Sequence, residues 1–344
     1  MNEMNQQLSD VLAQVAVPDE ALNAARARRD AVRREAQKFT GVRDTFRSGS
    51  VATGVVTHPL EDSDSGMILD RRCYPTLGPD GEGDPPTDVV ADLHSHLGPL
   101  IREVWPSATI HDMKRGVTVR FHEPLADGTD PYVDLVLALD RKDAPGLWIP
   151  NLDNDTWDAS HPQKHVELMN AGARSLRVVR ARVVRLAKTW NKQFASPALS
   201  SFNLVALALE TIEETTDLAT ALTKFFEHAH SSLSISRTED PAAVSGPIKY
   251  EGTRDQVLSR LRSARDHLQV ALADPGDLDV VVAELYGVFW NYLPEPIDLR
   301  SSTSAQVTET LRSSNPRFRE TAAGLTVLAG AVKTQRAYGG PRRG

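Results

Sequence analysis

The most restrictive feature of this chain is a carboxylate set inside an apolar strand pattern. In Tyr132-Val133-Asp134-Leu135-Val136 the apolar residues alternate at the strand period, so Asp134 stands among Val133, Leu135, Val136 and Leu137. A buried carboxylate without a partner is costly, so the fold must bring Asp134 either a cation or an ion-pair partner. A second acidic feature lies upstream. Asp62-Ser63-Asp64 precedes the apolar Met67-Ile68-Leu69, within a predicted buried strand over Ser65–Leu69. On an extended segment, carboxylates at i and i+2 project from one face. Two like charges that close repel unless something cationic lies between them.

A third feature precedes these. Gly49-Ser50-Val51-Ala52-Thr53-Gly54 ends on Gly54, and eleven residues separate Ser50 from Asp62. Glycine lets a backbone approach a phosphate closely. The N–H groups at Gly49 and Ser50, with the Ser50 hydroxyl, are donors for triphosphate oxygens where a helix starts, and Gly54 ends the short turn. Three carboxylates make an oxygen-rich site of the kind that suits Mg²⁺. Two such ions clamp the attacking and leaving oxygens of phosphoryl transfer. Asp62 and Asp64 also fit a polar turn in the acidic run EDSDS, and Asp134 fits a buried ion pair. The ordered set favours the metal.

The rest of the chain divides by texture. Helices are predicted at 4–16 and 19–38, the second carrying Arg26, Arg28, Arg29, Arg33 and Arg34. The simplest reading of that arginine run is a solvated face; the functional one is contact with a nucleotide phosphate or an RNA. Thr45–Ser48 is a short segment, and 71–86, rich in Pro, Gly and Asp, is a loop. A helix follows over Thr87–Val104, with Thr87 as a candidate N-cap. Val117–Phe121, Pro131–Leu139 and Gly146–Ile149 read as strands. Beyond about residue 160 the pattern is helical: His165–Asn191, 198–214, 216–233, 253–273 and 278–291, the last stopped by Pro294 and Pro296. Residues 231–250 are a loop candidate. Leu176, Val179, Val183, Leu186 and Trp190 form a core-facing stripe. His94 and His96 lie two apart on a helix, point apart, and are read as structural.

This gives an α+β chain: a mixed sheet with flanking helices over 1–160, including two N-terminal bracing helices, then a helical lobe over 161–330 and a tail over 331–344. The net charge of −7 argues against a general duplex-binding surface. With one cysteine, Cys73, no internal disulfide is possible. A cytoplasmic setting is expected, since no signal-peptide pattern opens the chain and no apolar stretch reaches membrane-spanning length.

The ordered motif resembles the polymerase-β-type nucleotidyltransferase superfamily. More narrowly, the chain resembles the cGAS/DncV-like nucleotidyltransferases of anti-phage CBASS systems. The narrower likeness rests on Arg185-Leu186-Ala187-Lys188-Thr189-Trp190 followed by Ser200-Ser201-Phe202-Asn203-Leu204, similar to the family's "RLIKxW … SFHLE" helices. His161-Pro162-Gln163-Lys164-His165 resembles the segment that precedes them. The likeness spans roughly 40–210.

The resemblance implies a bilobed fold whose helical lobe closes a nucleotide cleft. It also implies Asp62, Asp64 and Asp134 as ligands of two Mg²⁺ ions, for which Mn²⁺ can substitute, and Gly49 and Ser50 as the phosphate cradle. Lys188 and Ser201 would hold the triphosphate and Phe202 would lie beside the base. On their own residues, Lys188 also fits a surface lysine, Ser201 a helix cap and Phe202 a core position. The implied activity joins NTPs, ATP among them, into a cyclic or short linear oligonucleotide, releases pyrophosphate and activates a partner effector. A nucleotidyltransferase that modifies RNA or protein and a catalytically silent nucleotide-binding homologue are the rivals. Ser65-Gly66, Asn203 and Val205 depart from the family's usual residues. The tail from Lys333 to Gly344 is expected to be mobile, and the resemblance implies Gly344 as a site of conjugation where E1/E2-like partners are encoded nearby.

Overall fold

The computed structural model describes residues 2–79, 85–142 and 144–296. The tail with Gly344, and the end of the expected helical lobe, lie outside the described residues. The chain divides into two compact units. One comprises residues 15–181 and 239–248, and the other comprises 2–14, 182–238 and 249–296.

The first unit is built on a seven-stranded mixed sheet. Its strands are β1 (Val42–Arg47), β2 (Asp62–Leu69), β3 (Thr109–Met113), β4 (Gly116–Arg120), β5 (Tyr132–Asp140), β6 (Leu147–Asn151) and β7 (Thr156–Ser160). The order is β1-β2-β5-β4-β3, with β6 pairing β5 and β7 pairing β6. β2 and β5 run parallel; the other pairs are antiparallel. The strand alternation sorts the side chains. Val133, Leu135, Leu137 and Leu139 of β5 join Met67 and Leu69 of β2 in one core. That core is covered by α2 (Asp19–Ala36), through Val32 and Ala36, and by α4 (Pro86–Arg102), through Val89, Val90, Leu93, Leu97 and Ile101. The opposite face carries a smaller cluster of Phe46, Ile68, Ala138, Leu147 and Ile149. Asp62, Asp64 and Asp134 share the parity of Ile68 and Ala138, so they stand on this second face.

The second unit is helical: α1 (Glu3–Gln14), the C-terminal part of α6 (Arg174–Lys192), α7 (Ser201–Thr211), α8 (Leu218–Ile235), α9 (Arg254–Ala273) and α10 (Leu278–Val288). Trp190 packs edge-on to Phe226 at 4.9 Å and to Phe194 at 5.6 Å between ring centroids, and Phe194 meets Trp290 at 5.0 Å. Such pairs add to area burial by about 0.5–1.5 kcal/mol each. Two helices open on reciprocal side-chain caps, Ser200 with Asn203 and Thr253 with Gln256.

Several elements differ from the sequence reading. The expected helix over His165–Asn191 is two: α5 (Pro162–Met169) and α6, parted at Gly172, whose φ of +88° suits glycine. Thr87 is not the N-cap of α4; Pro85 is, with Pro86 in the first turn, where its missing N–H costs nothing. Thr45–Ser48 belongs to the end of β1 and its turn. β2 begins at Asp62, so the acidic pair is part of the strand itself. The arginine run on α2 is not one solvated face. Arg28 is buried, bonded to Asp130 at 2.7 Å and to the carbonyls of Pro131 and Glu123, and lies over the Phe121 ring. Arg29 is buried beside Asp30, while Arg26 and Arg34 are exposed. The two histidines on α4 do point apart: His94 bonds Asp112, and His96 bonds the Glu35 carbonyl and packs on Phe39.

Candidate active site

The parallel pairing of β2 with β5 sets Asp62 opposite Tyr132 and Asp64 opposite Asp134. Paired residues project to the same face of a sheet, which gathers three carboxylates on one surface. Each of Asp62, Asp64 and Asp134 offers an oxygen within 4.8 Å of the others, and all three are half-buried. The intervening Ser63 faces the helices instead: its hydroxyl donates to the Ala25 carbonyl of α2.

Asp134 is held from the next strand. β4 places Thr118 opposite Asp134, and the Thr118 hydroxyl donates to Oδ1 at 2.6 Å. Burial pushes the Asp134 carboxyl up to about 6; the Thr118 bond pulls the other way, nearby Asp62 raises it and Arg120 lowers it. Tyr132 is pushed up as well, first by burial and then by the carboxylates of Asp62, Asp134 and Glu61. The Arg120 guanidinium lies over the Tyr132 ring, 4.5 Å from its centroid. Thr118, Arg120 and Tyr132 were not singled out from sequence. Their signal was present: Thr118 and Arg120 are the polar i, i+2 positions of an otherwise apolar strand.

The glycine turn is part of the same construction. After β1, Ser48 starts the five-residue helix α3 (Gly49–Thr53), and its N–H donates to the Asp64 carbonyl at 3.2 Å. Gly49 has φ +69°, and a Cβ on it would fall 1.6 Å from Asp64 Oδ2. Only glycine lets the turn lie this close to the carboxylate. Gly54, at φ +72°, closes the helix in the left-handed conformation. Ser48 makes no side-chain bond to the first-turn N–H groups of α3. The departure at Ser65-Gly66 has a packing reason: a Cβ at Gly66 would fall 2.1 Å from the Phe46 ring, which covers that position.

The structure thus brings Gly49, Asp62, Asp64 and Asp134 together, with Ser50 next to Gly49 on α3. Lys188, Ser201 and Phe202 belong to the helical unit. Lys188 is buried on α6, with 7% of its surface exposed, so it is not a surface lysine. Ser201 is exposed in the first turn of α7 and Phe202 is half-buried. The cap of α7 is Ser200, not Ser201, and Asn203 is its buried partner. The Ser200 N–H donates to Asn203 Oδ1 at 3.2 Å, and the Asn203 N–H donates to the Ser200 hydroxyl at 3.1 Å. His165 of α5 lies 2.6 Å from the buried Asp240 carboxylate.

No family model matches the sequence, and no curated protein matches it either. Solved structures do match. An E. coli MS115-1 CdnC, solved in complex with HORMA-deltaN, is 18% identical, with a TM-score of 0.62 over 84% of this chain and 98% of that one. The Bradyrhizobium diazoefficiens CD-NTase CdnG, solved with GTP, is 14% identical, with a TM-score of 0.62 over 90% and 98%. Vibrio cholerae DncV, described as a cyclic AMP-GMP synthase and a prokaryotic cGAS homolog, is 12% identical, with a TM-score of 0.58 over 85% and 96%. The chain has the fold of these proteins. Among the described residues no helix is long and apolar enough to cross a membrane.

Proposed function

We propose that this chain is a Mg²⁺-dependent nucleotidyltransferase that joins NTPs into a short oligonucleotide, cyclic or linear, with release of pyrophosphate. The observation that carries the reading is the register of β2 against β5, which crowds Asp62, Asp64 and Asp134 within 4.8 Å. Three carboxylates this close, one of them with a raised proton affinity, call for positive charge between them. All-oxygen donors fit a hard divalent cation that keeps substrate phosphates in its shell, Mg²⁺ or Mn²⁺. Such ions, when bound, neutralise phosphate charge and make a ribose hydroxyl a better nucleophile.

The protein's own groups do the rest. Asp62, Asp64 and Asp134 hold the ions. The Gly49 and Ser50 N–H groups and the Ser50 hydroxyl donate to phosphate oxygens of the substrate. A ribose hydroxyl of one nucleotide bonds to the α-phosphorus of another; the bond from that phosphorus to the bridging oxygen breaks, and pyrophosphate leaves with the electron pair. Asp134 also takes the hydroxyl proton, which a neighbouring cation makes more acidic. From the helical unit, Lys188 and Ser201 bind the triphosphate and Phe202 lies beside the base, so the helical unit serves as the substrate-binding lobe and the sheet unit as the catalytic one. The likeness to cyclic dinucleotide synthases supports a cyclic signalling product, made in the cytoplasm, that activates an effector in anti-phage defence.

Incubation of the chain with mixed radiolabelled NTPs and Mg²⁺ or Mn²⁺ tests this. Small, phosphatase-resistant products are expected, and Asp62→Asn with Asp64→Asn should remove them while leaving the circular dichroism spectrum unchanged. Label on RNA or protein, retained nucleotide binding without turnover, or a fully active double variant would each overturn the reading.

A further inference from the structure

A second concave site lies within the helical unit, where α8 ends and α9 begins. This surface groove of about 480 Å³, open to solvent, is lined by Ile235, Arg237, Lys249, Tyr250 and Arg254, with Ser236 and Gly252 completing it; its three cations are exposed. Its three charged residues are all cations, and no carboxylate lines it. Glu251, between Tyr250 and Gly252 in the sequence, is exposed and is not part of the lining. Among the described residues none of the three cations is in an ion pair. Arg254 donates to the Ser234 carbonyl, which fixes its side chain without cancelling its charge. Arg237 lies over the Tyr250 ring, 5.8 Å from the centroid.

In a chain of net charge −7, three cations held together without an acid mark a place built for negative charge. The flat half of the site matters equally. Tyr250 and the guanidinium of Arg237 are both planar groups on which a nucleobase stacks. Ile235, 85% exposed at the end of α8, offers an apolar edge. The volume lies in the range of small-ligand sites and suits one nucleotide. We propose that this groove binds a nucleoside phosphate, its phosphates on Arg237, Lys249 and Arg254 and its base against Tyr250. Every lining residue lies outside the aspartate cluster, and binding here needs no divalent cation.

Equilibrium dialysis of the full chain with radiolabelled ATP in excess EDTA tests this. Saturable binding that weakens as salt rises is expected. Arg237→Gln with Lys249→Gln should raise Kd about tenfold or more, because two charge-assisted contacts are lost. Lys249→Arg, which keeps the charge, should stay within about threefold of the parent. Tyr250→Leu should weaken ATP about fivefold and leave pyrophosphate unchanged, the stacking contribution being specific to a base. Lys188→Met, which alters the proposed substrate site, should leave this metal-free binding as it was. The proposal is overturned by no saturable binding at millimolar ATP, by equal binding in the Gln pair, by loss of binding in Lys188→Met alone, or by a Tyr250→Leu effect equal for ATP and pyrophosphate. None of these readouts requires turnover, so failure of the synthase reading and failure of this one are seen separately.

Discussion

Gly49 lies against the Asp64 carboxylate so closely that a Cβ would fall 1.6 Å from Oδ2, with the Gly49 backbone at φ +69°. The glycine turn and the acidic strand are therefore one structure, and the position of Asp64 depends on what residue 49 lacks. Gly49→Ala should displace the turn or the carboxylate and lower nucleotide turnover by about 100-fold, the scale of an ångström-sized misplacement. Gly54 is the control. It has φ +72°, but nothing lies within 4 Å of its Cβ position, so Gly54→Ala should cost about 1 kcal/mol of stability and retain most of the activity. Kinetics and thermal melts of the two variants check both. A fully active Gly49→Ala enzyme would separate the turn from the site.

Asp134 makes the metal-free fold sensitive to pH. Its carboxyl is raised to about 6 from an ordinary 3.8 by burial, so the folded state holds its proton more tightly than the unfolded chain. The stability linked to that proton is full below about pH 4 and is lost as pH rises through about 6. Two units correspond to about 3 kcal/mol. In EDTA at pH 7.5, Asp134→Asn should melt higher than the parent, because the amide is neutral and can still accept the Thr118 bond. At pH 4 the two should converge. Added Mg²⁺ should raise the melting temperature of the parent and not of the variant. A parent whose metal-free stability does not fall between pH 4 and 7 would contradict the raised carboxyl.

Lys188 is a buried cation on α6. Lys188→Met keeps the stem and removes the charge. We expect KM for NTP to rise about tenfold through loss of a charge-assisted phosphate contact, with a smaller change in kcat and little change in melting temperature. Steady-state kinetics beside a melt decides it. Loss of stability with unchanged KM would make the residue structural.

Asn203 closes the cap of α7 and is fully buried, with its amide also 3.5 Å from the Thr238 hydroxyl. Asn203→Ala should cost about 1–2 kcal/mol and lower the melting temperature by about 2–4 °C. Asn203→Asp keeps the acceptor for the Ser200 N–H but buries a charge, so its loss should shrink at pH 4, where the acid is neutral and still accepts the bond. A loss equal to that of Asn203→Ala at pH 4 would show that the cap bond is not what Asn203 supplies.

Much of this was legible in the chain order because it depends on local rules. Period-two alternation found β4 and β5. Capping and periodicity found most of the helices. The pairing of an Asp-x-Asp just ahead of a short apolar strand with an aspartate inside another apolar strand picked out the cluster of three carboxylates. β3 and β7, with burial patterns that do not alternate cleanly, gave no such signal. The solvated reading of the α2 arginines failed at Arg28 and Arg29 for a related reason. A buried arginine and an exposed one have the same local pattern, and only the distant Asp130 and the 121–131 segment tell them apart.

What the linear order determined, then, is which residues carry charge, which alternate, and where glycine permits a turn. What the tertiary structure alone decided is register and neighbourhood. Sliding β2 by one residue against β5 would take Asp64 away from its place opposite Asp134, and no short-range rule prevents it. The register is held by contacts far apart in sequence: Ser63 on the Ala25 carbonyl, Phe46 over Gly66, and Thr118 on Asp134. The same holds for the groove of the helical unit, whose Arg237 and Tyr250 come from separate segments and meet at 5.8 Å. Charge and periodicity are properties of a segment. Proximity between segments is set by packing and by which buried polar groups find partners, and it exists only once the chain has folded.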